Sequence, residues 1–338
     1  MNNIHSLSVS NIKQETLNSV VISFKIPSSL KNQYAFKAGQ YLTLSSNIKG
    51  EKVKRSYSIC SSPQSQDLQV GVKAIENGVF SNYVNDALRE GDSIEVSVPE
   101  GRFVLEDNPS ANYCAFVAGS GITPLMSLVS DVLAKNETGV FVLGYGNKTK
   151  ASTMFTGAIE ELKSIYPKRF YCYNIYSKEN NPEATFGRID SDFISYILKQ
   201  HSETKFEKIL LCGPEKMIET SKETLKKANY PEDKVLYELF YSKPVSKKND
   251  KGSGSSAKII YDEETLDLDI PEKMTILDAA LQKNIDVPYS CQGGVCSSCI
   301  AKIKSGSATM IQNNILTDSE VEEGLVLTCQ AIPETKEI

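Results

Sequence analysis

The chemistry most legible in this chain lies near its end. Cys291, Cys296 and Cys299 occur in the run Pro288-Tyr289-Ser290-Cys291-Gln292-Gly293-Gly294-Val295-Cys296-Ser297-Ser298-Cys299, and Cys329 follows in Leu327-Thr328-Cys329-Gln330. A C-x4-C-x2-C run with a distant fourth cysteine is the thiolate spacing of a [2Fe–2S] cluster site. Each iron takes two anionic sulfurs, so three of the ligands must come from one tight loop. Gly293 and Gly294 suit such a loop, because glycine reaches positive φ and lets backbone N–H groups approach the sulfurs. The competing chemistry is a zinc site with four cysteine ligands. Zinc sites pair two short cysteine units, whereas here three cysteines cluster and the fourth stands alone.

A one-electron centre needs a donor, and three further motifs point to one. Arg55-Ser56-Tyr57-Ser58 offers an arginine for a pyrophosphate, a tyrosine to pack on a flavin and a serine hydroxyl to reach its ring. Gly78-Val79-Phe80-Ser81 reads as a helix start whose N–H groups form a second phosphate site. Taken alone, the arginine motif is equally an edge strand with one cation. Val117-Ala118-Gly119-Ser120-Gly121-Ile122-Thr123-Pro124 has strand, glycine turn and helix start in order, as a dinucleotide phosphate site requires. Pro124 stands where the third glycine of G-x-G-x-x-G would be, a place in the first helical turn that proline tolerates. Leu211-Cys212-Gly213-Pro214 repeats the arrangement at the fourth expected strand of a sheet. Cys212 there is either a residue at the ligand-binding edge or a core cysteine.

A NAD site usually carries an acid after its second strand for the ribose hydroxyls. Here that place reads Tyr145-Gly146-Asn147-Lys148-Thr149-Lys150, with Ser177-Lys178-Glu179 and Gly187-Arg188 further on. Cations at these points, Lys178 and Arg188 above all, suit a 2′-phosphate and so NADPH over NADH. The two histidines, His5 near the N-terminus and His201 after a polar helix end, suggest no acid–base or triad chemistry.

The elements that must position these groups fall into blocks. Residues 1–108 read as six short strands with one helix at Ser81–Arg89, an antiparallel barrel. Residues 109–241 alternate strand and helix, which predicts a parallel, doubly wound sheet. Residues 242–257, almost free of apolar side chains, read as a flexible linker, and 258–338 as a small α+β module with a helix at Thr275–Lys283. The last block carries 6 lysines and 14 acidic residues, whereas residues 1–257 carry 31 basic and 28 acidic ones. That acidity argues against a nucleic-acid partner and offers either a docking face or a merely solvated surface. The N-terminus lacks the build of a signal peptide and no apolar run is long enough to span a bilayer, so a cytoplasmic location without membrane association is expected. Cys60, Cys114, Cys172 and Cys212 read as reduced, buried residues.

In this order, with Glu238-Leu239-Phe240 between the sheet and the cysteines, the motifs resemble the ferredoxin–NADP+ reductase superfamily with a plant-type ferredoxin domain fused at the C-terminus. The resemblance implies FAD or FMN in the barrel, favouring FAD, with a nicotinamide cofactor on the sheet and a β-grasp-like cluster domain. It also implies that Ser58, Cys212 and Glu238 surround the hydride path and that Phe240 covers the flavin ring. From the residues alone, Glu238 is equally a surface strand residue. Val287–Cys296 and Leu327–Gln330 are most similar to the reductase component of the phenylacetyl-CoA epoxidase system, one of several multicomponent oxygenases. The expected path runs from NADPH through FAD and the [2Fe–2S] cluster to an oxygenase component, the flavin converting hydride pairs to single electrons. The alternatives are an NADH-dependent reductase for a Rieske or other diiron oxygenase, and a non-catalytic iron–sulfur sensor module.

Overall fold

The computed structural model describes residues 4–65, 67–240, 254–261, 264–283, 285, 287–289 and 291–338. Most of the expected linker, residues 242–253, and Ser290 of the cluster loop lie outside them. The chain forms two compact units, Met1–Glu238 and Leu239–Ile338.

The first unit opens with β1 (Ile4–Thr16), β2 (Ser19–Lys25), β3 (Tyr41–Ile48), β4 (Glu51–Ser58) and β5 (Leu68–Lys73), then α1 (Val79–Asp86) and β6 (Ser93–Ser97). Alternating apolar residues direct Leu7, Ile22, Leu42, Leu44, Val70 and Val96 into one core. The antiparallel sheet has the order β4-β3-β6-β1-β2-β5. Its two edges meet in an isolated bridge between Ile59 and Val70, which curls the sheet toward a barrel just past Ser58. The helix departs from the expected Ser81–Arg89: it begins at Val79, with Gly78 as its N-cap, and ends at Asp86. The Ser81 hydroxyl instead accepts from the Ile75 N–H (3.3 Å) and donates to the Gly78 carbonyl (3.4 Å). His5 stands in β1 opposite Val96 and contacts the Tyr34 hydroxyl at 3.2 Å.

The same unit continues with β7 (Asn112–Ala118), α2 (Ile122–Lys135), β8 (Phe141–Asn147), α3 (Thr156–Ile165), β9 (Phe170–Tyr176), β10 (Thr185–Phe186), α4 (Ser191–Gln200), β11 (Phe206–Cys212), α5 (Glu215–Lys227) and β12 (Val235–Glu238). All neighbours in this sheet run parallel, in the order β10-β9-β8-β7-β11-β12. The order reverses between β7 and β11, the switch point outside which such sheets bind ligands. The two-residue β10 was not foreseen and makes β11 the fifth strand of this block rather than the fourth.

The second unit contains β13 (Ser255–Tyr261), β14 (Glu264–Ile270), α6 (Ile276–Gln282), β15 (Ile300–Lys302), β16 (Ala308–Met310), α7 (Asp318–Glu322), β17 (Leu325–Leu327) and β18 (Ala331–Pro333). Strand β13 takes in residues 255–257, which composition had placed in the linker. The antiparallel pairs β13–β14, β15–β17 and β16–β18 share a core of Leu268, Leu277, Val326, Leu327 and Ala331 with Cys299 and Cys329. Thr275 caps α6 by accepting from the Asp278 N–H at 3.2 Å. Among the described residues, no helix is long and apolar enough to cross a membrane.

Candidate functional site

The turns after β7 and β11 meet at the switch point. Gly119–Gly121 forms a single 3-10 turn between β7 and α2, and Gly119 has φ +56°, a conformation that favours glycine. Gly121 passes so close to β11 that a Cβ there would run into the Cys212 carbonyl oxygen. The turn is held on three sides. The Thr123 hydroxyl donates to the Ser120 carbonyl (3.0 Å), the Tyr145 hydroxyl donates to the Gly119 carbonyl (3.2 Å), and Ile122 is fully buried. Gly213 and Pro214 make the matching turn after β11, with Pro214 as the N-cap of α5. Cys212 is fully buried, and burial together with nearby Glu238 pushes its thiol well above the usual value.

Glu238 ends β12 in register beside Cys212. The Ser58 hydroxyl, at the end of β4, lies near enough to the Glu238 carboxyl to pull its pKa down, so barrel and sheet meet at these side chains. One carboxyl oxygen, Oε2, is buried with no partner among the described residues. Burial pushes the Glu238 carboxyl up to about 8, against the downward pull of the nearby Ser58 hydroxyl. A buried polar atom without a partner beside this turn is what a bound group would satisfy. Tyr57 lies one residue before Ser58 with its ring 5.8 Å from Phe80 of α1, and burial raises its hydroxyl pKa. Arg55 is exposed, its guanidinium tied at one end to the Lys54 carbonyl. No side chain caps the N-terminus of α1 at Gly78, which leaves its N–H groups for a ligand. This donor set, one guanidinium, one aromatic ring, one hydroxyl and one helix start, fits a flavin nucleotide. Phe240 belongs to the second unit and is 39% exposed.

The carboxyl ends of β8, β9 and β10 lie side by side. The Ser177 N–H donates to the Asn147 carbonyl (3.0 Å), the Lys178 N–H to the Lys148 carbonyl (2.9 Å), and the Gly187 N–H to the Tyr176 carbonyl (2.9 Å). Lys178 and Arg188 are both exposed there, and neither forms an ion pair among the described residues. Lys150 differs, because its ammonium is held by Glu183 at 3.0 Å and its N–H by Glu179 at 2.8 Å. Two residues here were given no role by the sequence. Asn147 is 9% exposed, and neither atom of its amide has a hydrogen-bond partner of good geometry among the described residues. Lys73, at the end of β5, reaches from the barrel to the Ser152 carbonyl (3.0 Å). Burial, and secondarily Lys148, lower its pKa. Glu15 of β1 makes a second tie, accepting from the Phe155 N–H at 3.1 Å.

In the second unit Cys296, Cys299 and Cys329 are buried and Cys291 half-buried, with the sulfurs of Cys299 and Cys329 3.4 Å apart. The Gly293 N–H donates to the Cys291 sulfur at 3.4 Å. Among the described residues no three His, Cys, Asp or Glu side chains are grouped to hold one metal ion. A two-iron cluster asks instead for cysteine pairs, and Cys299 with Cys329 is such a pair.

Three family models match the chain in sequence: an oxidoreductase FAD-binding domain over residues 6–105, an oxidoreductase NAD-binding domain over 116–223 and a 2Fe-2S iron-sulfur cluster binding domain over 259–334. The chain belongs to the ferredoxin–NADP+ reductase superfamily of flavin-dependent NAD(P)H oxidoreductases that carry a C-terminal [2Fe–2S] domain. Within it, the chain is 34% identical to one of the subunits of the 1,2-phenylacetyl-CoA epoxidase of Escherichia coli (strain K12), over 100% of this chain and 97% of the relative. It is 32% identical to the ferredoxin reductase component of the 3-ketosteroid-9-alpha-monooxygenase of Rhodococcus rhodochrous, over 97% and 94%. The fold is shared with phthalate dioxygenase reductase at TM-score 0.62 and 23% identity, covering 99% of this chain and 97% of that one.

Proposed function

We propose that this chain is the reductase component of an oxygenase system that acts as phenylacetyl-CoA epoxidase does, taking electrons from NADPH. The observation that carries the reading is the meeting of Ser58, Cys212 and Glu238 beside the Gly119–Gly121 turn, in a chain that also holds the four-cysteine spacing of a [2Fe–2S] site. The match to the epoxidase relative along its whole length supports the choice of system.

A flavin held by Arg55, Tyr57, Ser58 and the N–H groups at Gly78–Ser81 would supply the conversion of a nicotinamide's hydride into single electrons for the cluster. The chain's own residues bind and orient. Arg55 and the N–H groups at Gly78–Ser81 would hold the flavin phosphates, with Tyr57 and Ser58 against its ring. Gly119, Gly121 and Thr123 would shape the nucleotide's pyrophosphate seat, and Gly213 and Pro214 the second turn. Cys212 and Glu238 close the far side of the hydride path and exclude water there, with a carboxyl that burial keeps protonated at neutral pH. Lys178 and Arg188 are free to meet a 2′-phosphate. A second reading, preference for NADH, is favoured by one observation: Glu179 sits at this edge with a carboxylate suited to a ribose 2′-hydroxyl.

Reconstitution with a phenylacetyl-CoA epoxidase oxygenase component should couple NADPH consumption to product formation. A rate no better than with a Rieske oxygenase component would refute the choice of system. Cys296→Ser should remove iron and acid-labile sulfide yet leave NADPH-driven reduction of a two-electron dye. Loss of both activities would show that the division of labour is wrong.

A further inference from the structure

Gln330, the residue after the fourth cysteine, is 6% exposed, and its side chain has two partners. Its amide nitrogen donates to the Gln292 carbonyl at 3.1 Å and lies 3.6 Å from the Cys329 sulfur. The orientation of the amide follows from the first bond. Turned over, the amide oxygen would face the Gln292 carbonyl oxygen, acceptor against acceptor, in a buried place. The nitrogen must therefore also be the atom that faces the sulfur.

The backbone on both sides fixes this aim. The Gln330 N–H donates to the Leu327 carbonyl (2.8 Å), and its carbonyl accepts from the Ile311 N–H (2.9 Å). Across from it, Gln292 has φ +53° and Gly294 φ +69°, a turn that swings the Gln292 carbonyl toward Gln330. A Cβ on Gly294 would come within 3.0 Å of the Gln330 Cγ, so the glycine makes room for this side chain.

We propose that Gln330 is a positioning residue that sets the cluster's reduction potential through an N–H···S bond to Cys329. This rests on the cluster being held by the four cysteines. Reduction adds one electron, supplied by the flavin, and no bond forms or breaks at the thiolate. The added negative charge is spread over the sulfurs, so a donor aimed at one of them stabilises the reduced state more than the oxidised state. The bond therefore raises the potential. The amide's other bond, to Gln292, ties the loop that carries three ligands to the segment that carries the fourth.

The test is a redox titration of the full-length protein followed by EPR, comparing wild type with Gln330→Met, which keeps the length and drops the donor. A shift to lower potential is expected, with iron and sulfide content and the flavin potential unchanged. An unchanged or higher potential at full cluster content overturns the proposal. So does a folded variant without cluster, because Gln330 would then hold the loop rather than tune it. Should Gln330→Met not fold, wild-type protein labelled with 15N in glutamine side chains decides: pulsed EPR of its reduced form should show a 15N coupling, and absence of one overturns the proposal. Wild type lacking iron and sulfide after anaerobic reconstitution would instead sink the cluster reading itself.

Discussion

Glu238 and Cys212 stand side by side across β12 and β11, and the Glu238 carboxyl feels the Ser58 hydroxyl of the barrel. One carboxyl thus joins the last strand of the sheet to the wall opposite. Its protonation is consequently a property of the joint and not of the strand that carries it.

The pH dependence of stability follows from that position. The folded protein holds the Glu238 proton up to about 8, above the ordinary 4.5. The stability this gives is complete below the ordinary value and is lost as pH rises through the folded one. Glu238→Gln cannot ionise, so wild type should lose stability relative to the variant between about pH 5 and about pH 9, by on the order of a few kcal/mol. Thermal denaturation across that range checks it, and parallel curves would remove Glu238 from the account.

Gly121→Ala puts a methyl group against the Cys212 carbonyl, where backbone faces backbone and neither side can yield easily. A loss of about 1–3 kcal/mol is expected, as for other overpacked sites. Nucleotide affinity should fall with it. Calorimetric unfolding together with titration by NADP+ measures both, and an unaltered Tm would show the two turns to be farther apart.

Asn147 offers two effects of opposite sign. Its amide is buried without a partner among the described residues, so Asn147→Ala should leave Tm equal or higher when no nucleotide is added. Nucleotide binding should weaken by roughly fivefold, the worth of one neutral hydrogen bond of about 1 kcal/mol. Equal Kd values for variant and wild type would mean that the amide does not meet the ligand.

Reversing Lys178 and Arg188 to glutamate should raise KM for NADPH by roughly ten- to a hundredfold, with little change for NADH. Steady-state kinetics with both nucleotides gives the ratio. Similar KM values in the unaltered protein would favour the role of Glu179 instead.

Much of this arrangement can be read from the chain. The six barrel strands and the five longer strands of the sheet declare themselves by alternation and by apolar runs between glycine and proline turns. The cysteine spacing carries its chemistry openly. What could not be read depends on contacts between distant residues. Ser81 has the composition of an N-cap, yet its hydroxyl serves Ile75 and Gly78, so α1 starts two residues earlier. Lys150 looks like a free cation until Glu183, 33 residues away, folds onto it. A lone asparagine at a strand end carries no motif, and Asn147 matters only because burial strips its amide of partners. Thr185–Phe186 is too short for any periodicity to register.

The enclosure of Cys212 has a chemical outcome of its own. Peroxide attacks thiolates, and this sulfur, walled in by the Gly121 turn and kept protonated, presents almost none. A thiol can thus stand at this end of the sheet and be spared oxidation.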